Sequence, residues 1–314
     1  MKIYHQYVPP FSALVTGGTG FIGSALVARL VEMNCKVWVM SRLDSNKNRL
    51  SRFSDQITIL NCDLSVASPE SISSLCPEVD VIFHLAAAGV HDLGTESTRM
   101  RAVNVQGTKS LLEASRDNGV PRFIHVGSCF EYGGGSDLNE ESSLRPKSVY
   151  ALTKMEASEA VLLNSKEFGY DATVLRPFMI YGPGELETRL IPHIISQALQ
   201  GKAINLTGGE QVRDLVFIDD AVDLLLKVAS SSNLGGQIFN ICSGQGWKVK
   251  DVAVKTMELT GSKSSLNFGA LPYRVDEAMC IVGNPEKAAN LLAWTCSTDL
   301  ESGIRSLIHH IEND

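Results

Sequence analysis

Residues Ala13–Gly23 read A-L-V-T-G-G-T-G-F-I-G. Ala13–Thr16 is a short apolar run with the β-branched pair Val15-Thr16, and glycines follow at Gly17, Gly20 and Gly23. From Phe21 to Met33 the apolar residues recur at helical spacing. Strand, glycine turn and helix in direct succession make the first half of a βαβ unit. Glycines at this spacing serve a tight turn, close backbone approach to a pyrophosphate, and helix-to-strand packing, with the helix N-terminus facing the anion. The candidate cofactor cradle is therefore Gly17, Thr19, Gly20, Phe21, Ile22 and Gly23.

Outward from this unit, the pattern repeats. Lys36–Met40, Ile57–Leu60, Val81–His84, Arg122–Val126 and Ala172–Leu175 join Ala13–Thr16 as six predicted buried strands. Glu96–Asn118 and Val149–Phe168 carry helical periodicity between them. Alternation of this kind predicts an α/β fold, a doubly wound parallel sheet, over residues 12–176. After Arg176 the alternation becomes irregular and glycine and proline thicken, as in Tyr181-Gly-Pro-Gly184 and Leu206-Thr-Gly-Gly209. Residues 177–314 are read as a smaller C-terminal α/β lobe, some of whose segments can return to the first domain.

Composition narrows the partners. In 314 residues, 20% charged with a formal net charge of -7, the basic residues are scattered, so nucleic acid is not an expected partner. Seven cysteines, Cys35, Cys62, Cys76, Cys129, Cys242, Cys280 and Cys296, are widely spaced and never C-x-x-C. Neither a disulfide framework nor a metal site is indicated, and a reducing cytoplasm fits. No apolar run reaches the ~18 residues of a membrane span, and Met1–Ser12 is too polar for a signal peptide.

Two local patterns carry chemistry. The second strand ends in Ser41-Arg42, where an NAD site would place an acid for the ribose hydroxyls. An arginine pairs with a 2′-phosphate instead, so NADP (NADPH) is preferred over NAD. Tyr150-A-L-T-Lys154 opens a predicted helix, and its i, i+4 spacing puts both side chains on one face. A phenol near pKa ~10 is a poor acid or base at neutral pH, but a neighbouring ammonium favours the phenolate.

Together these motifs resemble the extended short-chain dehydrogenase/reductase family, in particular its nucleotide-sugar epimerases, dehydratases and 4-keto reductases. The resemblance spans about Ser12 to Trp294. It also includes Asp63-Leu64, His84-Leu85-Ala86-Ala87, Asn104-V-Q-Gly107-Thr108, Arg176-Pro177, Arg213-Asp214, Asp219-Asp220 and Phe239-N-I-C-S-Gly244. It implies a Rossmann-type fold whose C-terminal lobe is mainly substrate-binding, with Asp63, Leu64, Leu85, Ala86, Ala87, Asn104, Tyr150, Lys154 and Pro177 beside the cofactor. It implies a catalytic trio of Ser128, Tyr150 and Lys154, and a nucleotide-sugar substrate held by Ser128, Arg213 and Arg274. A homodimer through the helices Glu96–Asn118 and Val149–Phe168 is implied as well.

The stretch His125–Gly134, H-V-G-S-C-F-E-Y-G-G, separates the reactions. The 4,6-dehydratases of the family carry carboxylates directly after the hydroxyl residue. Here Cys129 and Phe130 stand there, and neither is a carboxylate acid or base. Glu131, one residue on, points to the opposite side if the segment stays extended. Met179 replaces the usual polar residue, and His91 lies in a loop that could reach the sugar. The expected reaction is NADPH-dependent reduction of a nucleotide-linked 4-keto-6-deoxyhexose; the alternatives are 4-epimerisation with bound NAD(P) and, in a different class, a non-catalytic NADP-binding sensor.

Overall fold

The computed structural model describes residues 11–89, 96–274 and 276–313. His91 lies outside the described residues. Along the chain the elements are β1 (Ser12–Thr16), α1 (Phe21–Glu32), β2 (Lys36–Ser41), β3 (Ile57–Asn61), α2 (Pro69–Leu75), β4 (Val81–His84), α3 (Ser97–Arg101), α4 (Thr108–Asp117), β5 (Arg122–Val126), β6 (Gly135–Leu138), α5 (Val149–Phe168), β7 (Asp171–Pro177), β8 (Met179–Tyr181), α6 (Leu190–Leu199), β9 (Ile204–Asn205), β10 (Val212–Phe217), α7 (Ile218–Ala229), β11 (Ile238–Ile241), β12 (Gly246–Lys248), α8 (Val249–Thr260), β13 (Leu266–Asn267), β14 (Cys280–Gly283), α9 (Glu286–Leu292) and α10 (Leu300–Asn313).

Two compact units emerge from this chain. One comprises the described residues up to Glu131 with Leu144–Arg176 and Val222–Phe239; the other takes Tyr132–Ser143, Pro177–Ala221 and the residues from Asn240. The first unit is built on a seven-stranded sheet in the order β11-β7-β5-β4-β1-β2-β3. From β7 to β3 every pairing is parallel. A parallel sheet covered on both faces needs continuous apolar strands. Accordingly Ala13, Leu14 and Val15 are fully buried in β1, as are Ile82 and Phe83 in β4 and Phe123 and Ile124 in β5. The six predicted strands all form. The seventh, β11, comes from beyond Arg176, because Ile238–Ile241 offers a short apolar edge to β7.

The predicted helix over Glu96–Asn118 is not one regular helix. α3 passes into a π-helical turn at Ala102–Gly107 before α4 begins. π-turns inside helices frequently mark functional sites, and this one carries the buried Asn104. α5 forms over the predicted span, started by Ser148, whose Oγ accepts the Ala151 N–H at 3.2 Å, and stopped by Gly169 in the left-handed region.

The second unit holds a sheet ordered β12-β10-β14-β6, with β8 pairing the end of β10, and a two-stranded sheet of β13 and β9. Ile194 and Ala198 of α6 pack on Ala253 and Met257 of α8. No described helix is long and apolar enough to cross a membrane.

Candidate active site

The glycine cradle has the geometry its spacing predicts. Gly17 has φ of 70°, and a Cβ there would lie 2.6 Å from the backbone of Leu85 and Ala86. A Cβ on Gly23 would lie 2.2 Å from the Gly17 carbonyl oxygen. α1 begins at Gly20 with no side-chain cap and no acidic residue in its first turn. Its N–H groups and dipole are thus left to attract an anion from outside the chain. Thr19, Phe21 and Ile22 are the residues of the turn and first helical positions that would hold a pyrophosphate. Leu85, Ala86 and Ala87, all half-buried, follow β4. These residues fit a dinucleotide.

At the adenosine end, Ser41 closes β2 with its Oγ buried and unpartnered among the described residues. The Arg42 guanidinium meets Asp44 at 3.4 Å and is more than a third exposed. Asp63 accepts Ser65 N–H at 2.9 Å and Ser65 Oγ at 2.7 Å. Burial pushes its carboxyl up, but these bonds and the cations Arg42 and Arg99 outweigh it and hold the carboxyl below the usual range.

Asn104, expected beside the cofactor, is braced by its protein neighbours. It is fully buried, and its amide is spent inside the protein. Oδ1 accepts Ala88 N–H at 2.7 Å, while Nδ2 donates to Ala88 O at 3.0 Å and to Thr153 Oγ1 at 2.9 Å. It therefore ties the loop after β4 to α5. His84 completes the frame. Thr108 Oγ1 donates to Asn104 O at 2.6 Å, so it accepts from His84 Nε2 at 2.8 Å. Nδ1 then accepts from Thr16 Oγ1 at 2.7 Å, and Thr16 accepts Ala86 N–H at 3.2 Å. This chain assigns the neutral Nε2–H tautomer. Burial first, and the Lys154 charge second, lower the His84 pKa to about 3, so the frame does not titrate near neutrality.

Ser128 lies just past β5. Its Oγ accepts Phe130 N–H at 3.2 Å, which occupies one lone pair and leaves the O–H to donate to a ligand oxygen. Tyr150 and Lys154 fall one turn apart on α5, Tyr150 half-buried and Lys154 2% exposed. Burial lowers the Lys154 pKa to about 8, against an opposing pull from Glu131. The ammonium still predominates at neutral pH.

Glu131 corrects the sequence expectation. Cys129–Tyr132 is not extended but a 3₁₀ turn, which folds Glu131 back under Ser128. Its carboxylate accepts Ser128 N–H at 2.8 Å, Ser158 Oγ at 3.0 Å and Arg176 Nε at 2.8 Å, with no solvent exposure. Cys129 is buried as well. Ser158 was not singled out in the sequence, although it continues the Tyr150, Lys154 spacing by four more residues.

Arg213 and Arg274 belong to the second unit. Arg213 on β10 donates to Val212 O at 3.0 Å and to Ala278 O, and its guanidinium pairs with Glu277. Glu277 N–H bonds Arg274 O at 3.2 Å, and Arg274 is exposed. Met179 sits on β8, paired with Leu215 of β10. Among the described residues there is no cluster of three metal-ligating side chains.

A parallel sheet with a glycine cradle at β1, followed by a strand-end serine and a Tyr-x-x-x-Lys helix, defines a dinucleotide-dependent enzyme of the Rossmann type. The family model described as the NAD dependent epimerase/dehydratase family matches residues 13–242, and the chain belongs to that family. It is 30% identical to the uncharacterized UDP-glucose epimerase YtcB of Bacillus subtilis, over 96% of this chain and 98% of that protein. Among solved structures it is similar to the UDP-glucose 4-epimerase of Thermotoga maritima with UDP-glucose, at 28% identity and TM-score 0.86, covering 96% of this chain and 99% of that one. DesIV, the dTDP-glucose 4,6-dehydratase of Streptomyces venezuelae with NAD bound, matches at 25% identity and TM-score 0.88, over 96% and 97%.

Proposed function

We propose that this enzyme reduces a nucleotide-linked 4-keto-6-deoxyhexose with NADPH, Ser128, Tyr150 and Lys154 acting at the C4 oxygen. The observation that carries this reading is the sequestered carboxylate of Glu131. The dehydratase alternative requires an acid next to the hydroxyl, and the segment offers a buried thiol, a phenyl ring and a carboxylate already held by Arg176, Ser128 and Ser158.

In this reading Ser128 donates to O4 as negative charge develops, and Tyr150 gives O4 its phenolic proton. Lys154 keeps a positive charge beside the phenol and the cofactor ribose. The bound nicotinamide supplies the hydride. Arg213 and Arg274 grip the diphosphate, which requires Arg213 to share or exchange its Glu277 contact. A second reading, 4-epimerisation with retained NAD(P), is favoured by the similarity to UDP-glucose epimerases. Incubation with NADPH and a panel of 4-keto-6-deoxy nucleotide sugars decides between them. Stoichiometric NADPH oxidation is expected, with no 4-keto-6-deoxy product from a 4-hydroxy nucleotide hexose. Interconversion of two C4 epimers without net cofactor consumption would establish the second reading instead.

NADPH preference follows from Ser41 and Arg42. Arg42→Ala is expected to weaken NADPH binding toward the lower end of about 1.5–3 kcal/mol, since Asp44 already competes for the guanidinium. NADH binding is expected to stay unchanged, and a fluorescence titration showing equal losses for both would refute the assignment. A homodimer through α3–α5 is proposed because Leu163 and Phe168 stand exposed on α5. Sedimentation equilibrium is expected to give twice the chain mass, and Leu163→Glu to shift it toward the monomer.

A further inference from the structure

We infer that Glu131 is a positioning residue of this site, the tie that holds the Ser128 hydroxyl in register with the Tyr150–Lys154 face of α5. The inference rests on the reading of those three residues as the catalytic trio. Tyr150, Lys154 and Ser158 recur every four residues on α5, one stripe of one helix. Glu131 Oε1 takes a hydrogen bond from the last of these, Ser158 Oγ at 3.0 Å, and from the backbone N–H of Ser128 at 2.8 Å. Its own N–H returns a bond to Ser128 O at 3.1 Å, so the serine is gripped at both backbone groups by one residue. Oε2 receives Arg176 Nε at 2.8 Å from β7, and the Glu131 carbonyl accepts Arg145 N–H at 3.0 Å from the chain leading to α5. Three segments thus converge on its side chain and a fourth on its backbone carbonyl.

The room for this carboxylate is made by Gly127. A Cβ on that residue would fall 2.4 Å from Glu131 Oε1 and 3.0 Å from Ser158 Oγ. Gly127, Glu131, Ser158 and Arg176 therefore form one unit, in which the glycine is required by the carboxylate and not by its own backbone. The charges facing the pair are Arg176 from β7 and Lys154 from α5; His125 from β5 and His84 from β4, which also adjoin Lys154, are buried and held neutral. The Glu131 carboxylate thus has Arg176 and Lys154 as cationic neighbours. Removal of that anion alters two things at once: the aim of Ser128 Oγ, and the ease with which Lys154 holds its proton.

The test uses Glu131→Gln, Ser158→Ala and Gly127→Ala in the full chain. With substrate, Glu131→Gln is expected to lower kcat about 10²-fold, the cost of a roughly 1 Å misplacement, with KM and NADPH affinity within about twofold. The alkaline limb of its pH–rate profile is expected to move to lower pH, because the ammonium loses its counter-charge. A purely structural residue would lower stability and leave that limb in place. Gly127→Ala keeps every ionisable group yet displaces the carboxylate, so it is expected to reproduce the kcat loss, and Ser158→Ala a smaller share of it. These two variants carry the test if Glu131→Gln does not fold. A separate arm needs no substrate: ¹³C-lysine NMR, with Lys154 assigned by Lys154→Arg, is expected to show its titration midpoint falling in Glu131→Gln. Wild-type inactivity on every sugar would defeat the catalytic reading while this arm still measures the coupling. Folded Glu131→Gln and Gly127→Ala with kcat within twofold of wild type, or an unmoved Lys154 midpoint, overturn the inference.

Discussion

Tyr150→Phe is expected to lower turnover of a 4-keto nucleotide sugar by about 10²–10⁴-fold while leaving NADPH affinity within twofold. Only the phenolic oxygen is removed, and the ring keeps its place at the start of α5, so the helix and its Ser148 cap are undisturbed. The magnitude is that of losing a positioned acid, because water must then deliver the proton to O4. NADPH oxidation measured by absorbance, beside a fluorescence titration of the cofactor, separates the two effects. Residual activity within tenfold of wild type would remove Tyr150 from the acid role. The wild type carries its own pH signature. Burial lowers the Lys154 pKa to about 8, so the ammonium is present below that value and lost above it. Activity that depends on the ammonium is expected to decline as pH rises through about 8, the direction opposite to that of a histidine base.

The second large effect concerns stability. Arg176→Met is expected to cost about 3–5 kcal/mol in urea unfolding, because it removes the buried guanidinium bonded to the Glu131 carboxylate. Both side chains are sealed, with 2% and 0% exposure, and Nε lies 2.8 Å from Oε2. A surface pair of the same length would give well under 1 kcal/mol, since water and salt replace the partner. Methionine fills much of the arginine volume, so the loss reports charge more than cavity. Arg176→Met combined with Glu131→Gln is expected to cost less than the sum of the two single replacements, as two members of one network do. A single-variant loss below 1 kcal/mol would show that the pair is solvated in solution.

What the sequence determined by itself was whatever depends on neighbours along the chain. Strand, glycine turn and helix at Ala13–Met33 are local chemistry, and six apolar runs are enough to predict a parallel sheet that must be covered on both faces. The pairing of Tyr150 with Lys154 likewise follows from helical periodicity alone. Tertiary structure decided the rest, because it depends on contacts distant in sequence. β11 joined the first sheet from far along the chain, and Asn104 is braced by Ala88 and Thr153, which lie 16 and 49 residues from it in sequence. Glu131 is the clearest case. In an extended segment it would face away from Ser128, and a single 3₁₀ turn reverses that choice. The turn persists because Arg176, 45 residues away, and Ser158, 27 residues away, supply the partners a buried carboxylate needs.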